Sequence, residues 1–210
     1  MSTAVLKSRT NTPDTADSGS SERPGPHAPG GVGHELRALR KSRNLTLSEL
    51  AETIGRSVGW LSQVERGVSE PAIRDLRKIA AYFGLPLGFF FRNDEAPAEE
   101  RGWIVRASAR RPLGGGEDGL VEELLSPDLG GSFEMVRSVF AAGTELPEPH
   151  RRETEEAGYV VSGTLDIELR GTWFRLGPGD SFRFEAEPFR WRNPGDEDAI
   201  VIWAISPPVY

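Results

Sequence analysis

Cysteine is absent from the 210 residues, which excludes disulfides and thiol chemistry. No run of 18 apolar residues occurs, so no bilayer-spanning helix and no membrane partner are expected. The first residues lack the apolar core of a signal peptide, which makes a cytoplasmic protein the expectation. Histidine is scarce: His27, His34 and His150 are all there is. Basic charge is also short, since the formal net charge is -7, which at first argues against a polyanionic partner.

The placement of charge reverses that argument. Residues 34–91 hold nine Lys/Arg against six Asp/Glu, a net +3. Residues 95–210 hold twelve Arg against 22 Asp/Glu, a net −10. A basic segment of that size suits a nucleic acid, and the acidic remainder should stay clear of it.

The basic segment contains LTLSELAETIGRSVGWLSQVERG, residues 45–67. Leu47, Leu50, Ala51 and Ile54 recur at i, i+3, i+4 and i+7, one face of a helix. Thr46 with Glu49 three positions on is a capping-box pattern that starts this helix. Gly55 breaks it, and a second short helix is predicted over 57–66, with Leu61 and Val64 inward and Gly67 as the stop. Spacing alone leaves two readings open, an ordinary helical hairpin or a helix-turn-helix that reads DNA.

The stretch from His34 to Phe91 resembles the DNA-binding domain of phage-repressor-type (XRE) regulators. The resemblance rests on LRALRKSRNLTLSELAETIG, SVGWLSQVERG and the apolar pattern of DLRKIAAYFGL. It implies a five-helix domain of lambda-repressor type bound to a double-stranded DNA operator. Helix 1 is expected over 34–42, with Leu36 and Leu39 inward. Helix 4 follows Pro71, with Ile73, Leu76, Ile79, Ala80 and Phe83 as its apolar face, and residues 86–91 form the last turn. In the family pattern Arg40 and Glu65 form a buried ion pair, so both are read as structural. The reading positions are Ser57, Val58, Gly59, Ser62 and Gln63, since Gln bonds adenine bidentately and Val can meet a thymine methyl. Arg43, Thr46, Ser48, Arg56 and Arg66 are candidates for phosphate contacts. Trp60 has two readings, packing at the domain edge or contact with DNA.

Around this domain, residues 1–33 are rich in Ser, Thr, Pro and Gly and are expected to be a disordered tail. Residues 92–101 read as a charged linker. Residues 102–210 change period. Strands are predicted over 103–109, 120–125, 133–141, 159–162, 164–170 and 199–205, separated by Gly, Pro and Asp clusters. Many short strands imply a sandwich or barrel, so the chain is expected to be a two-domain α + β protein.

HRRETEEAGYVVSGTLDI and LGPGDSFRFEAEPFRWRNPGD resemble the two motifs of a small antiparallel cupin barrel, or jelly roll. Cupin metal sites take two His and one Glu from the first motif and one His from the second. His150 matches the first His and Glu156 the Glu, but Arg152 stands at the second His and Phe189 at the last. Arginine stays protonated and phenylalanine has no lone pair, so no metal and no cofactor are expected. An iron-dependent phosphonate epoxidase shares this architecture, but it needs a complete facial triad. The chain is therefore expected not to be an enzyme.

The resemblances together imply a transcriptional regulator, a homodimer whose cupin domain binds a small organic effector through His150, Arg152, Glu156 and Phe189. An Arg fork suits a carboxylate or phosphate, and Glu156 suits an amine. Two alternatives stay open: an internal Arg152–Glu156 ion pair, and a purely structural dimerising barrel.

Overall fold

The computed structural model describes residues 31–91, 97–114 and 119–210. Most of the expected tail and half of the expected linker, residues 92–96, lie outside them.

Among the described residues four α-helices come first: α1 (Val32–Ser42), α2 (Leu47–Ile54), α3 (Val58–Glu65) and α4 (Ile73–Phe83). The expected fifth helix is a single 3-10 turn, Leu87–Phe90, which seals the core with buried Phe89 and Phe90. Helix α1 starts two residues before the expected boundary, because Gly31 takes the extended cap position. Helix α2 has the capping box at Thr46 and Glu49, and Gly55 ends it in the left-handed region at φ 69°. Leu36, Leu39, Leu50, Ile54, Leu61 and Ile79 are fully or almost fully buried and form one core. Arg40 clasps Glu65 bidentately at 2.6 and 2.9 Å, tying α1 to the end of α3. Gly33 lets these helices touch, since a Cβ there would sit 2.1 Å from the Val64 carbonyl oxygen.

Nine strands follow among the described residues: β1 (Arg111–Pro112), β2 (Leu120–Leu124), β3 (Glu134–Phe140), β4 (Glu155–Ser162), β5 (Leu165–Leu169), β6 (Thr172–Leu176), β7 (Ser181–Glu185), β8 (Phe189–Arg192) and β9 (Ala199–Ser206). They form two sheets rather than a closed barrel. One has six strands in the order β1-β2-β3-β9-β4-β7 and the other three in the order β6-β5-β8. All pairings are antiparallel. Period-2 alternation puts Val136, Phe140, Val160, Val201, Trp203 and Ile205 between the sheets.

The strand predicted over 103–109 does not form. Residues 107–109 make a 3-10 turn, and Trp103 is 84% exposed. Its apolar residues lack a neighbouring strand to pair with, and period alone cannot supply one.

The helices and sheets meet at a seam. Arg111 reaches Glu35 at 3.2 Å, and its guanidinium lies 4.5 Å over the Phe89 ring. His34 packs against Gly130 there, with its ring 2.4 Å from where a Cβ would stand.

Candidate DNA-reading surface and sandwich interior

Ser57 caps α3, its hydroxyl oxygen accepting the Trp60 amide at 3.2 Å. That cap fixes the start of α3, on which Val58, Gly59 and Gln63 are exposed and Ser62 is half-buried. A Cβ at Gly59 would meet nothing within 4 Å, so the backbone there borders open space. Gln63 Oε1 accepts only a long 3.4 Å bond from the Ser69 hydroxyl. Arg43, Ser48 and Arg66 are exposed, and Arg66 Nε donates to the Ser62 carbonyl at 3.2 Å. Trp60 is half-buried against the core.

Two expected phosphate contacts are otherwise engaged. Arg56 grips buried Asp75 bidentately at 3.0 and 2.6 Å, and its guanidinium lies 4.9 Å over the Trp60 ring. This hydrogen-bonded pairing holds the Asp75 carboxyl below its usual range, against the opposing effect of burial. Arg56 therefore anchors α4 to the start of α3. Thr46 is committed to its cap: its hydroxyl donates to Glu49 Oε2 at 2.7 Å and accepts the Glu49 amide at 3.2 Å. The Glu49 carboxylate would itself repel a phosphate at that point.

In the sandwich, His150 and Phe189 pair across an isolated bridge, with ring centroids 6.5 Å apart. Arg152 Nε donates to His150 Nε2 at 3.0 Å. Glu156 is buried and accepts the Thr154 hydroxyl at 2.8 Å. His150 itself is exposed at the rim, so three of the four expected residues face inward. Burial, then the Arg152 charge, push the His150 pKa down, so a neutral ring accepts the Arg152 bond. Among the described residues Arg152 makes no ion-pair contact; the alternative Arg152–Glu156 pair does not form.

The interior holds three residues that the sequence reading missed. Glu122 on β2 accepts the Ser138 hydroxyl at 2.9 Å and the Tyr210 hydroxyl at 2.6 Å. Glu134 on β3 is wholly buried, and its Oε1 accepts the Val209 amide at 3.0 Å. Tyr210 lies beneath the Arg152 guanidinium, 5.7 Å from ring centroid to Cζ. Burial raises the Glu134 carboxyl to about 7, opposed by the Val209 and Tyr210 amides and by Arg152. Burial raises Glu156 in the same direction, opposed by Thr154 and Arg152. Three carboxyl groups thus surround one guanidinium. A signal was available, because Glu134 shares its inward parity with Val136, Ser138 and Phe140. A charged residue at a core position is unusual.

The cupin metal pattern does not fit these residues. The His150 nitrogen that would ligate faces a guanidinium N–H instead. Phe189 packs into an aromatic wall, 4.8 Å from Phe184 and 6.2 Å from Trp203 between centroids. A cation beside the remaining donors disfavours a second cation.

Family models match two segments: "Helix-turn-helix" over residues 36–90 and "Cupin domain" over residues 136–205. Three curated relatives are similar. The HTH-type transcriptional regulator SutR of Escherichia coli is 29% identical over 77% of this chain and 86% of its own length. The HTH-type transcriptional regulator PuuR of Escherichia coli is 26% identical over 85% of this chain and 96% of its own. The transcriptional regulator ClgR of Mycobacterium tuberculosis is 32% identical over 46% of this chain and 87% of its own.

Proposed function

From a chain that belongs to the XRE-type helix-turn-helix transcriptional regulators and carries a C-terminal cupin domain, we propose a ligand-responsive homodimer. Residues 34–91 bind a DNA operator, and residues 102–210 bind a small organic effector and join two chains. Val58, Gly59, Ser62 and Gln63 meet base edges, while Arg43, Ser48 and Arg66 meet phosphates. The observation that carries the effector reading is Arg152, a guanidinium inside the sandwich that lies near Glu122 and Glu156 without an ion-pair contact to either. Incomplete metal donors favour a binding role over catalysis.

The dimer reading draws support from the outer face of the six-stranded sheet. Val121, Tyr159 and Val161 are exposed there, and Val139, Ile200 and Ile202 are half-buried, in adjacent register. Apolar patches of this kind mark interfaces.

A second reading keeps the regulator but makes the sandwich a structural dimeriser, and the Phe182–Phe184–Phe189–Trp203 wall favours it. Operator titrations against cell metabolite fractions separate the two. An effector shifts operator affinity only by its differential affinity for two states of the protein. Wild type should respond and Arg152→Ala should not, while both bind the operator equally without effector. A wild type that never responds would favour the structural reading. Footprinting should show two half-sites roughly 10 bp apart on one DNA face; a single half-site bound at full affinity would sink the dimer.

A further inference from the structure

Tyr210 and Val209 occupy the place in the sandwich where the effector reading puts a ligand. Each polar contact they make is one that an external molecule could make. The phenol donates to Glu122 at 2.6 Å, its ring lies beneath Arg152, and the Val209 amide donates to Glu134 at 3.0 Å. Glu122 is held from its other oxygen by Ser138, so its acceptor is fixed before the phenol arrives.

The segment leaves the interior incompletely satisfied. Glu134 Oε2 and Trp203 Nε1 are both buried without a hydrogen bond. They belong to inward rows of adjacent strands, since Glu134 pairs with Ile205 and Val136 with Trp203. A core built only to be filled would carry apolar groups at these positions.

We propose that this interior is a binding site for hydroxyaryl ligands and that Tyr210 is its internal occupant. The proposal rests on the effector reading and names the ligand class. A hydroxyaryl ligand places its ring beneath Arg152 and its hydroxyl on Glu122, and it enters when residues 209–210 withdraw. The internal phenol thereby sets a threshold concentration for any external one.

The test uses the full chain and p-cresol, the tyrosine side chain as a free molecule. Tyr210→Ala removes the occupant and leaves a space shaped for a phenol. Titration followed by calorimetry and by thermal shift should show p-cresol binding to Tyr210→Ala at least roughly tenfold more tightly than toluene does. Toluene leaves the Glu122 acceptor unpaired, which a site built around a hydroxyl penalises. Wild type should bind p-cresol at least roughly tenfold more weakly than Tyr210→Ala, because the internal phenol competes. Equal binding of p-cresol and toluene by folded Tyr210→Ala would overturn the proposal. Should Tyr210→Ala fail to fold, Tyr210→Phe keeps the ring and drops the hydroxyl. It should then bind p-cresol more tightly than wild type, and affinity equal to wild type would overturn the proposal. Binding of p-cresol that leaves operator affinity unchanged would uphold the site and count against the effector reading alone.

Discussion

Arg111 and Glu35 meet 3.2 Å apart across the seam between helices and sheets, both buried. Arg111 sits on β1, which pairs with the β2 strand that carries Glu122, and the Leu113 amide donates to the Glu122 carbonyl at 2.9 Å. Glu35 sits on α1, which supports α3. A short run of contacts therefore links the sandwich interior to α3.

Arg111→Ala should destabilise the chain by about 3–5 kcal/mol, because it leaves the Glu35 carboxylate buried without this partner. It should also split one thermal transition into two, as the helices and sheets lose their shared contact. A single transition at the wild-type temperature would show that the seam is held by something else.

Arg56→Ala should act on stability rather than on DNA charge contacts. Asp75 is left buried without its bidentate partner, so the melting temperature should fall. Asp75 has a depressed pKa, so its contribution is present above its ordinary pKa of 3.8 and fades as pH falls through the lower folded value. Operator affinity measured against salt, well below the melting temperature, should keep the wild-type slope. A slope shallower by about one unit would restore Arg56 to the phosphate backbone.

Gln63→Ala should lower affinity for the preferred operator by about 1–3 kcal/mol and relax discrimination at one base position. Arg66→Ala should weaken all sequences alike and reduce the salt slope. Binding measured over a panel of single-base operator variants distinguishes the two patterns. Uniform loss in both variants would remove Gln63 from the reading set.

Glu134 should make the sandwich lose stability as pH rises. Its folded pKa of about 7 lies above the ordinary 4.5, so the folded chain binds the proton more tightly. That contribution is full below 4.5 and is lost as pH climbs through about 7. Across that window it amounts to about 3 kcal/mol. Glu134→Gln keeps an acceptor for the Val209 amide and cannot ionise. Denaturant melts should therefore show the variant gaining on wild type between pH 5 and pH 8. A constant difference across that range would show that Glu134 stays in one protonation state.

The helices were legible because local rules sufficed: a period of 3.6, a capping box and left-handed glycines at 55 and 84. Four strands escaped. Strand β6 exposes most of its residues, β8 alternates Phe and Trp with Arg, β7 follows a Pro-Gly turn, and β1 is two residues long. Arg152 and Glu156 were found because the cupin motif is contiguous in sequence. Glu122 and Glu134 join them from distant strands and Tyr210 from beyond β9, and only the parity of Glu134 hinted at it. The pairing of Arg56 was not legible because its partner Asp75 lies 19 residues away on α4.

Gly33 has a mechanical consequence. With α1 already at the closest approach to the Val64 carbonyl, the joint between α1 and α3 has no backlash. Glu35 lies two residues along the same helix. On the proposed DNA-reading role of α3, a push or pull delivered there would turn both helices as one piece and change the angle at which Gln63 would meet a groove.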